Sequence, residues 1–427
     1  MKISFYTLGC RLNQSETAVI RQIFKTDGTY AVVDFGKPAD VFVVNTCTVT
    51  ENGDTDTRRL VNKINRINAR ARIALVGCQA QIQKEKLTEL PNVRWVVGNA
   101  RKIDFLSILK EEEAPALPRI ITPTIPRDTF EIPAAGIDTT HTRANIKIQD
   151  GCDFFCSFCE IPYARGRARS RSFDDILREA RTLVAAGHQE LVITGINVGT
   201  YKNNNNTIID VITAMEQIDS LKRIRISSIE PTTISLRLIK KMARPTKLCR
   251  HLHIPLQSGS DQILKKMNRK YSVQEFGDFI QKAYDTVPHI CIGTDVIVGF
   301  PGETDENFLE TVERLREWSV HYFHVFSYSR RNMAKSKKLP ESLSAGKIAL
   351  RSAVLRDLGL RKRRLFYESF IGTRQKVLFE QPKKDYWTGL TDHYIRVKVK
   401  SKRVLHNQYL DVHMKMTDDR AIIGTLE

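Results

Sequence analysis

Short apolar runs alternate with helix-like stretches along the first hundred residues, and this alternation limits the possible folds more than any other feature of the sequence. Helix-like patterns cover Ser15–Lys25 and residues 58–67. The apolar runs that we expect to be buried parallel strands are Ile3–Leu8, Val41–Val44, Ile73–Val76 and Trp95–Val97. Such a strand–helix repeat predicts a doubly wound α/β domain built on a parallel sheet.

The alternation resumes at a larger scale from Asn145 onward. Helical patterns such as Phe173–Ala186 and Ser272–Tyr284 separate six candidate strands, which are Asn145–Gln149, Glu190–Thr194, Arg223–Ser228, His251–Leu256, Asp295–Val298 and His321–Ser327. A succession of about six βα units predicts a full or partial parallel barrel, with its chemistry at the carboxyl ends of the strands.

The pattern changes to period two after Phe370. Residues 394–400 and 410–416 alternate apolar and polar side chains, which predicts antiparallel strands of a small β-barrel. Basic and aromatic side chains are interleaved on its predicted surface: Tyr386, Trp387, Tyr394, Arg396, Lys398, Lys400, Lys402 and Arg403. This surface suits RNA, and the alternative is a generic basic surface. The formal net charge of the chain, +19, favours an anionic partner.

Five prolines between Ala114 and Pro133 predict an extended linker. We therefore expect an amino-terminal domain at 1–113, a linker at 114–137, a barrel domain at 138–368 and a carboxyl-terminal domain at 369–427. No stretch approaches the roughly 20 apolar residues that cross a bilayer, and the first apolar run is too short for a secretory signal. We expect a cytoplasmic protein without a membrane partner.

Cys152, Cys156 and Cys159 form a Cys-x-x-x-Cys-x-x-Cys motif at the end of a predicted strand. Structural zinc sites usually have four ligands, and no second pair of cysteines follows at the expected spacing. An iron–sulfur cluster with four irons that is held by only three thiolates leaves one iron open for a small molecule. The alternative is a chance grouping of core cysteines.

Three further cysteines each come directly after a predicted strand. Cys10, Cys47 and Cys78 therefore lie along one edge of the predicted parallel sheet. They can converge on a second cluster, or they can be three separate buried thiols. Cys249 and Cys291 lack such a context and are interpreted as structural. The histidines show no ligand spacing that indicates a metal site.

A three-cysteine motif that opens a βα barrel resembles the radical S-adenosylmethionine (SAM) enzymes. The resemblance implies that Cys152, Cys156 and Cys159 hold a 4Fe–4S cluster whose open iron binds SAM. Transfer of an electron then cleaves SAM and yields a 5′-deoxyadenosyl radical. The role of the protein is to place the cofactor and to exclude competing reactions.

Thr7–Gln14, Val44–Thr50 and Val76–Ala80 resemble the amino-terminal domain of the methylthiotransferases. These enzymes combine that domain with a radical SAM domain and a carboxyl-terminal TRAM barrel that binds RNA. The resemblance covers essentially the whole chain. It implies a second 4Fe–4S cluster on Cys10, Cys47 and Cys78, which presents the sulfur that is delivered.

Further segments resemble the branch that acts on threonylcarbamoyladenosine in tRNA: Gln149–Cys152, Ile161–Gly166, Thr194–Tyr201, Ser227–Pro231 and His251–Ser260. The resemblance implies methylthiolation at C2 of N6-threonylcarbamoyladenosine at tRNA position 37, next to the anticodon. An electron donor and a sulfur source, both unidentified, would be further partners. The alternatives are isopentenyladenosine, an aspartate of a ribosomal protein and a non-catalytic iron–sulfur RNA-binding protein. After Ser329 the branch has a Gly-containing turn, which Arg330–Lys335 lacks.

Position and family likeness also suggest a SAM pocket, although any one of these residues is more often a turn or packing residue. The candidates are Gly195, Asn197, Ser258, Gly259, Ser260, Asp295 and Gly299. Arg165 and Arg167 are candidates for contact with a tRNA phosphate or the SAM carboxylate, the alternative being a surface salt bridge. We assign no catalytic side chain beyond the six cluster cysteines.

Overall fold

The architecture is taken from a computed structural model, which describes residues 1–48, 51–138, 141–340, 343–418 and 420–426. The chain forms an amino-terminal α/β unit, a central βα barrel and a small carboxyl-terminal β-barrel. Among the described residues, no helix combines the length and the apolar character that crossing a membrane requires.

A six-stranded parallel sheet, in the order β2-β1-β3-β4-β5-β6, forms the amino-terminal unit. Its strands are β1 (Lys2–Thr7), β2 (Ala31–Val33), β3 (Val41–Thr46), β4 (Arg72–Gly77), β5 (Val93–Val97) and β6 (Arg119–Ile121). Its helices are α1 (Arg11–Asp27), α2 (Glu51–Ile67), α3 (Cys78–Ile82), α4 (Lys84–Thr88) and α5 (Phe105–Glu111), with a 3-10 turn at Lys102–Asp104. Apolar clusters on both faces make this the predicted doubly wound fold.

Two edge strands of this sheet, β2 and β6, were not predicted. Each has only three residues, so neither shows a clear pattern in the sequence. Strand β6 lies within the proline-rich segment 114–137 and pairs with β5 through Ile120 and Ile121. That segment also returns along the central barrel, where Phe130 bridges Arg171. It is therefore packed against both neighbouring units rather than free between them.

The central unit is a barrel that stays open between its first and last long strands. Its strands are β7 (Arg143–Lys147), β8 (Gln149–Asp150), β9 (Arg169–Ser170), β10 (Glu190–Thr194), β11 (Lys202–Asn203), β12 (Asn206–Thr207), β13 (Arg223–Ile226), β14 (His251–His253), β15 (Cys291–Val298) and β16 (Tyr322–Ser327). Its helices are α6 (Ile161–Arg165), α7 (Phe173–Ala185), α8 (Ile208–Glu216), α9 (Leu236–Met242), α10 (Asp261–Lys266), α11 (Val273–Thr286) and α12 (Asp305–Glu317). Short 3-10 turns occur at Val198–Thr200, Pro231–Thr233 and Lys335–Lys338.

The long strands follow one another in space in sequence order. One parallel sheet contains β7, β10 and β13, and a second contains β14, β15 and β16. A parallel bridge pairs Ile224 of β13 with Leu248, three residues before β14. Ala144 and Ile146 of β7 pack in the core beneath the outer helices. Because successive side chains of a strand alternate between its faces, Asn145 and Lys147 are on the inner face. The predicted partial (βα)6 barrel is confirmed.

Helix α13 (Ala345–Glu368) packs along β16 and leads into a closed five-stranded barrel. The strands, β17 (Arg374–Lys383), β18 (Tyr386–Leu390), β19 (Arg396–Lys400), β20 (Tyr409–Asp418) and β21 (Ala421–Leu426), are antiparallel except for the pair β19 and β21. The predicted strand at residues 394–400 begins two residues late, because Tyr394 has a φ of +64° and cannot continue a strand. The small antiparallel barrel itself is confirmed.

The loop before β19 docks the carboxyl-terminal barrel onto the central one. Arg223 Nη1 donates to the carbonyl of Leu390 at 2.8 Å. Arg225 donates to the carbonyls of Thr391 and Asp392, both at 3.0 Å. Both arginines are buried and lie on β13, so this loop covers that part of the barrel.

Candidate functional site

The loop after β8 brings Cys152, Cys156 and Cys159 together. It starts at Gly151, whose φ is +70°, and a Cβ there would collide with the backbone carbonyl of Arg167. Glycine is therefore required where the chain turns back after the strand. A hydrogen bond of 3.1 Å from the Cys159 N–H to the Cys156 carbonyl closes the loop. We call these three cysteines the loop triad.

Each sulfur of the loop triad accepts one hydrogen bond. The donors are the Phe154 N–H to Cys152 at 3.5 Å, the Ile161 N–H to Cys159 at 3.4 Å and Arg269 Nη1 to Cys156 at 3.2 Å. Burial raises the pKa of all three thiols, to about 11 for Cys152 and about 12 for Cys159. Because the thiolate is the form that binds a metal, bound cations would have to stabilise it. Hydrogen-bonded, half-buried sulfurs fit the ligands of an iron–sulfur cluster.

Cys10, Cys47 and Cys78 come from three loops at one edge of the amino-terminal sheet. They follow β1, β3 and β4, and the strand order reverses between β1 and β3, where open α/β sheets bind ligands. A Cβ on Gly9 would lie 2.6 Å from the Cys47 sulfur. Cys47 and Cys78 are buried, and Cys10 is exposed. Desolvation by the surrounding protein and, less strongly, the charge of Cys78 nevertheless raise the pKa of Cys10. The structure thus brings together three thiols that are far apart in sequence, which we call the strand triad.

Asparagine side chains hold the loops of the strand triad in place. Asn13, in the first turn of α1, donates through Nδ2 to the carbonyls of Leu8 at 2.9 Å and Thr46 at 3.0 Å. Asn99 Nδ2 lies 3.6 Å from the sulfur of Cys78 and donates to a carbonyl of α6 at 2.6 Å. Three converging thiols with buried polar support fit a cluster that has one iron not bound to protein.

Glu160 directly follows the loop triad and connects it with the strand triad. Its carboxylate accepts hydrogen bonds from Thr48 Oγ1 at 3.0 Å and from Arg331 Nε at 3.1 Å. Arg331, which is buried, also lies 3.1 Å from Asp54 of α2. The segment that departs from the branch pattern after Ser329 therefore links the amino-terminal and central units.

A buried network of five charged side chains joins α1 to α6 and to strands β7 and β8 of the central barrel, beside the strand triad. Its members, none more than 6% exposed, are Glu16, Lys102, Lys147, Asp150 and Arg165. The guanidinium of Arg165 lies 2.9 Å from Glu16 and 3.0 Å from Asp150. Burial would raise the pKa of Glu16, but Arg165, Lys102 and Lys147 hold it well below its usual range.

The structure separates Arg165 from Arg167, which the sequence suggested as equivalent candidates for a phosphate or the SAM carboxylate. Arg165 is fully buried, and its Nη atoms are bound by carboxylates and by Asn13 Oδ1, at 2.6 Å from Nη2. A phosphate of a macromolecule cannot reach it. Arg167 is exposed and forms a surface salt bridge of 3.2 Å with Asp153.

Asp295 lies between two histidines in the barrel interior. Its Oδ1 is 2.9 Å from His253 Nε2 and 3.2 Å from His324 Nδ1. Burial would raise the pKa of Asp295, but hydrogen bonds from both histidines lower it below its usual range. Within the described part of the chain, this is a group of potential metal ligands whose atoms lie within 4.8 Å of one another. The sequence did not predict it, because the residues come from three strands.

Two of the suggested SAM-pocket residues, Gly195 and Asn197, lie against β8, the strand that precedes the loop triad. Gln149 Oε1 accepts hydrogen bonds from the N–H groups of Ile196 at 3.0 Å and Asn197 at 2.9 Å, which fixes the turn after Gly195 against the end of β8. The buried Nδ2 of Asn197 has no hydrogen-bond partner among the described residues. It is therefore available to a polar group of a cofactor.

Three of the other candidates, Gly259, Ser260 and Gly299, contact outer helices, whereas Asp295 is the carboxylate between His253 and His324. In Ser258–Ser260, the Gly259 N–H donates to Thr311 of α12 at 2.9 Å and the last serine accepts from Asn307 at 3.0 Å. The space that a Cβ on Gly299 would occupy is filled by Ile348 of α13. These contacts agree with the turn-and-packing interpretation, and a role in SAM binding stays a prediction.

The central unit defines the class of the protein. The family model "Radical SAM superfamily" matches residues 146–315. The radical SAM methyltransferase TsrM of Kitasatospora setae has a similar fold, with a TM-score of 0.57 and 13% sequence identity over 76% of this chain and 72% of that one. The chain therefore has the fold of the radical SAM enzymes.

A second family model, "Uncharacterized protein family UPF0004", matches residues 2–98. The threonylcarbamoyladenosine tRNA methylthiotransferases MtaB of Bacillus subtilis and Aquifex aeolicus are 35% and 36% identical to this chain. The alignments cover 93% of this chain in both cases, and 90% and 96% of the two relatives. The chain therefore belongs to the methylthiotransferase family of radical SAM enzymes. The predicted cofactors, SAM and two 4Fe–4S clusters, are those of this family.

Proposed function

We propose that this chain is a tRNA methylthiotransferase that converts N6-threonylcarbamoyladenosine at position 37 to its 2-methylthio derivative. The observation that supports it most strongly is the pair of converging thiol triads, in a chain that matches relatives named for this reaction along 93% of its length. The C2–H bond of adenine has no acidic proton, so acid–base catalysis alone is insufficient and a radical route is required.

Within this proposal, the loop triad holds the cluster that binds SAM, and the strand triad holds the second cluster. When bound, these groups supply the electron, the 5′-deoxyadenosyl radical, the sulfur and the methyl group. The protein orients them through the hydrogen bonds to the loop sulfurs and through the free amide of Asn197. The buried network around Glu16 holds the amino-terminal unit, which carries the strand triad, against the central unit.

The carboxyl-terminal barrel, with the basic and aromatic residues of its surface, would bind the tRNA by phosphate contacts and base stacking. We propose the same unit boundaries that the sequence suggests: 1–113, 138–368 and 369–427, with 114–137 as the connection. The target base must leave its stack to enter the barrel, which loop bases of tRNA do readily.

Nucleoside mass spectrometry of tRNA from cells with and without this protein tests the proposal. We expect 2-methylthio-N6-threonylcarbamoyladenosine to disappear without the protein and to return with the wild-type gene. Cys249→Ala is the matched control, since this thiol is buried and belongs to neither triad. A peak that is unchanged in the deletion strain would contradict the proposed substrate.

Isopentenyl-type adenosine is the second candidate substrate. The tRNA-2-methylthio-N6-dimethylallyladenosine synthase of Desulfotalea psychrophila is 32% identical to this chain, over 94% of the chain and 91% of the relative. The same mass spectra distinguish the candidates, because loss of the 2-methylthio-dimethylallyl nucleoside instead would assign this second substrate.

A further inference from the structure

A basic cleft lies where the three units of the molecule meet. It has a volume of about 530 Å³ and is lined by Arg11 and Gln14 of α1, Arg143 and Asn145 of β7, and Lys383 and Arg396 of the carboxyl-terminal barrel. Arg11 directly follows Cys10, so the cleft begins beside the strand triad. Asn145 is on the inner face of β7, so the cleft opens toward the interior of the central barrel.

Arg143 has unused hydrogen-bonding capacity in this cleft. Its Nε lies 2.7 Å from Glu380, which fixes the direction of the guanidinium. Its Nη1 is buried and has no hydrogen-bond partner in the described part of the chain. A buried donor without an acceptor is costly, so such a nitrogen indicates a missing ligand.

Arg11 provides a second guanidinium. Its Nη2 donates to the hydroxyl of Tyr394 at 2.9 Å, and no carboxylate among the described residues forms an ion pair with it. Burial would raise the pKa of Tyr394, but Arg11, Arg143 and nearby arginines lower it, which indicates a positive potential at this point. Glu380 is the only acidic residue that lines the cleft among those described, and it pairs with Arg143.

We propose that Arg11 and Arg143 bind the carboxylate of an amino-acid substituent on N6 of the target adenosine. The inference rests on the proposed function and adds the means by which that substrate is selected. A carboxylate matches the donor geometry of guanidinium groups, whereas an apolar N6 substituent would leave Arg143 Nη1 without an acceptor and Arg11 without an anionic partner. Sites with polar groups that only one substrate can satisfy discriminate strongly against the other.

A backbone phosphate of the anticodon loop offers the same anionic oxygens, so the test must distinguish the two sources. The reconstituted full-length enzyme is titrated with two anticodon stem-loops that differ only in the target nucleoside, N6-threonylcarbamoyladenosine or unmodified adenosine. The variants are Arg11→Met and Arg143→Met, and Lys25→Met is the control because Lys25 is an exposed residue of the same helix α1.

We expect the wild type and Lys25→Met to prefer the modified stem-loop by about tenfold to a hundredfold, as charge-assisted hydrogen bonds allow. Each arginine variant should lose most of this preference while its affinity for the unmodified stem-loop stays unchanged. A parallel loss of affinity for both stem-loops, with a smaller salt dependence, would assign the cleft to a phosphate and overturn the inference. A preserved preference, or no preference in the wild type, would also overturn it.

Arg143→Lys is the control for a folding defect. Lysine keeps the positive charge beside Glu380 but lacks the planar guanidinium that can bind both oxygens of a carboxylate. This variant should retain the wild-type melting temperature and still bind the modified stem-loop more weakly. The proposed function is read out separately, by formation of the methylthio product in wild-type enzyme. If that product forms while the arginine variants keep the preference, only the inference about the cleft fails.

Discussion

The two thiol triads have the same number of ligands but are built in opposite ways. The loop triad spans eight residues, and two of its three sulfurs accept hydrogen bonds from backbone N–H groups two residues further along the chain. The strand triad spans Cys10 to Cys78, and its thiols meet only when three strands form one sheet. The first is therefore fixed by local chain conformation, and the second by the tertiary structure of a whole unit.

This difference determines what each triad depends on. The strand triad relies on Asn13, which joins the loops after β1 and β3 and is itself held by Arg165. Arg165 in turn binds Glu16 of the amino-terminal unit and Asp150 of the central unit. The strand triad thus depends on correct docking of two units. Substitutions that weaken the docking should affect it before they affect the loop triad.

Removing one ligand from each triad should have the largest effect and should separate their roles. We expect Cys156→Ala to abolish SAM cleavage and methylthio transfer together, because the cluster that binds SAM is lost. Cys47→Ala should abolish methylthio transfer but leave SAM cleavage to 5′-deoxyadenosine. Iron content should fall from about eight to about four atoms per chain in each case.

Both quantities can be measured on the reconstituted proteins, by chromatography of the cleavage products and by colorimetric iron analysis. Cys291→Ala is the control, because this thiol is buried against the carboxyl-terminal barrel and lies outside both triads. Full SAM cleavage by Cys156→Ala would show that the loop triad does not hold the cluster that binds SAM.

Breaking the buried network should have the next largest effect. Arg165→Met removes a guanidinium that binds both Glu16 and Asp150 and leaves Lys147 as their shared cation. We expect this loss to lower the free energy of unfolding by about 3–5 kcal/mol. The substitution should also remove iron from the strand triad first, because Asn13 loses its anchor. Denaturant unfolding measures the loss of stability. Iron analysis of Arg165→Met combined with Cys156→Ala, or with Cys47→Ala, shows which triad has lost iron, because each combination retains only one intact triad.

Arg167→Met is the matched control for that substitution. Its ion pair with Asp153 is exposed, and such pairs contribute about 0–1 kcal/mol. If Arg165→Met and Arg167→Met lost equal amounts of stability, the strand triad would not depend on the docking of the amino-terminal unit onto the central unit.

Arg165 and Arg167 show how much of the fold and of the site can be predicted from the sequence. Strand ends and cysteine spacing are local features, so the doubly wound sheet, the partial barrel and the places of the six cysteines follow from them. Arg165 and Arg167 look alike in sequence, because burial of the first results from the approach of α1. The strand β6 and the turn at Tyr394 were missed for a related reason, since three residues and one positive φ leave no periodic signal.

Arg331 tests the link between the two triads, because it contacts Glu160 next to Cys159 and Thr48 next to Cys47. Its substitution should have a smaller effect than that of Arg165. We expect Arg331→Met to lower the free energy of unfolding by about 1–3 kcal/mol, since Glu160 keeps its hydrogen bond from Thr48. Iron should be lost from both triads to a similar degree. Lys335→Met, an exposed substitution in the same segment, should change neither quantity. Loss of iron from the strand triad alone would contradict the bridging role.

The smallest effect should come from the carboxyl-terminal barrel, whose strands contribute no residue to either triad. Deleting this barrel would be a poor test, because Arg223 and Arg225 would lose the carbonyls that accept their hydrogen bonds. Point substitutions on its surface avoid this. Lys400 is exposed and forms no ion pair among the described residues, whereas Lys398 is paired with Asp418.

We expect Lys400→Gln to weaken tRNA binding about threefold, because an unpaired lysine can contact a phosphate of the tRNA backbone. The salt dependence of the tRNA affinity should fall by the equivalent of about one phosphate contact. Lys398→Gln should have a smaller effect, since the charge of Lys398 is already compensated. Iron content and SAM cleavage should stay at wild-type values in both variants. Titration of tRNA at several salt concentrations gives the dependence of the affinity on salt for each protein. If this dependence is the same for Lys400→Gln and the wild type, the surface around Lys400 does not bind the tRNA backbone.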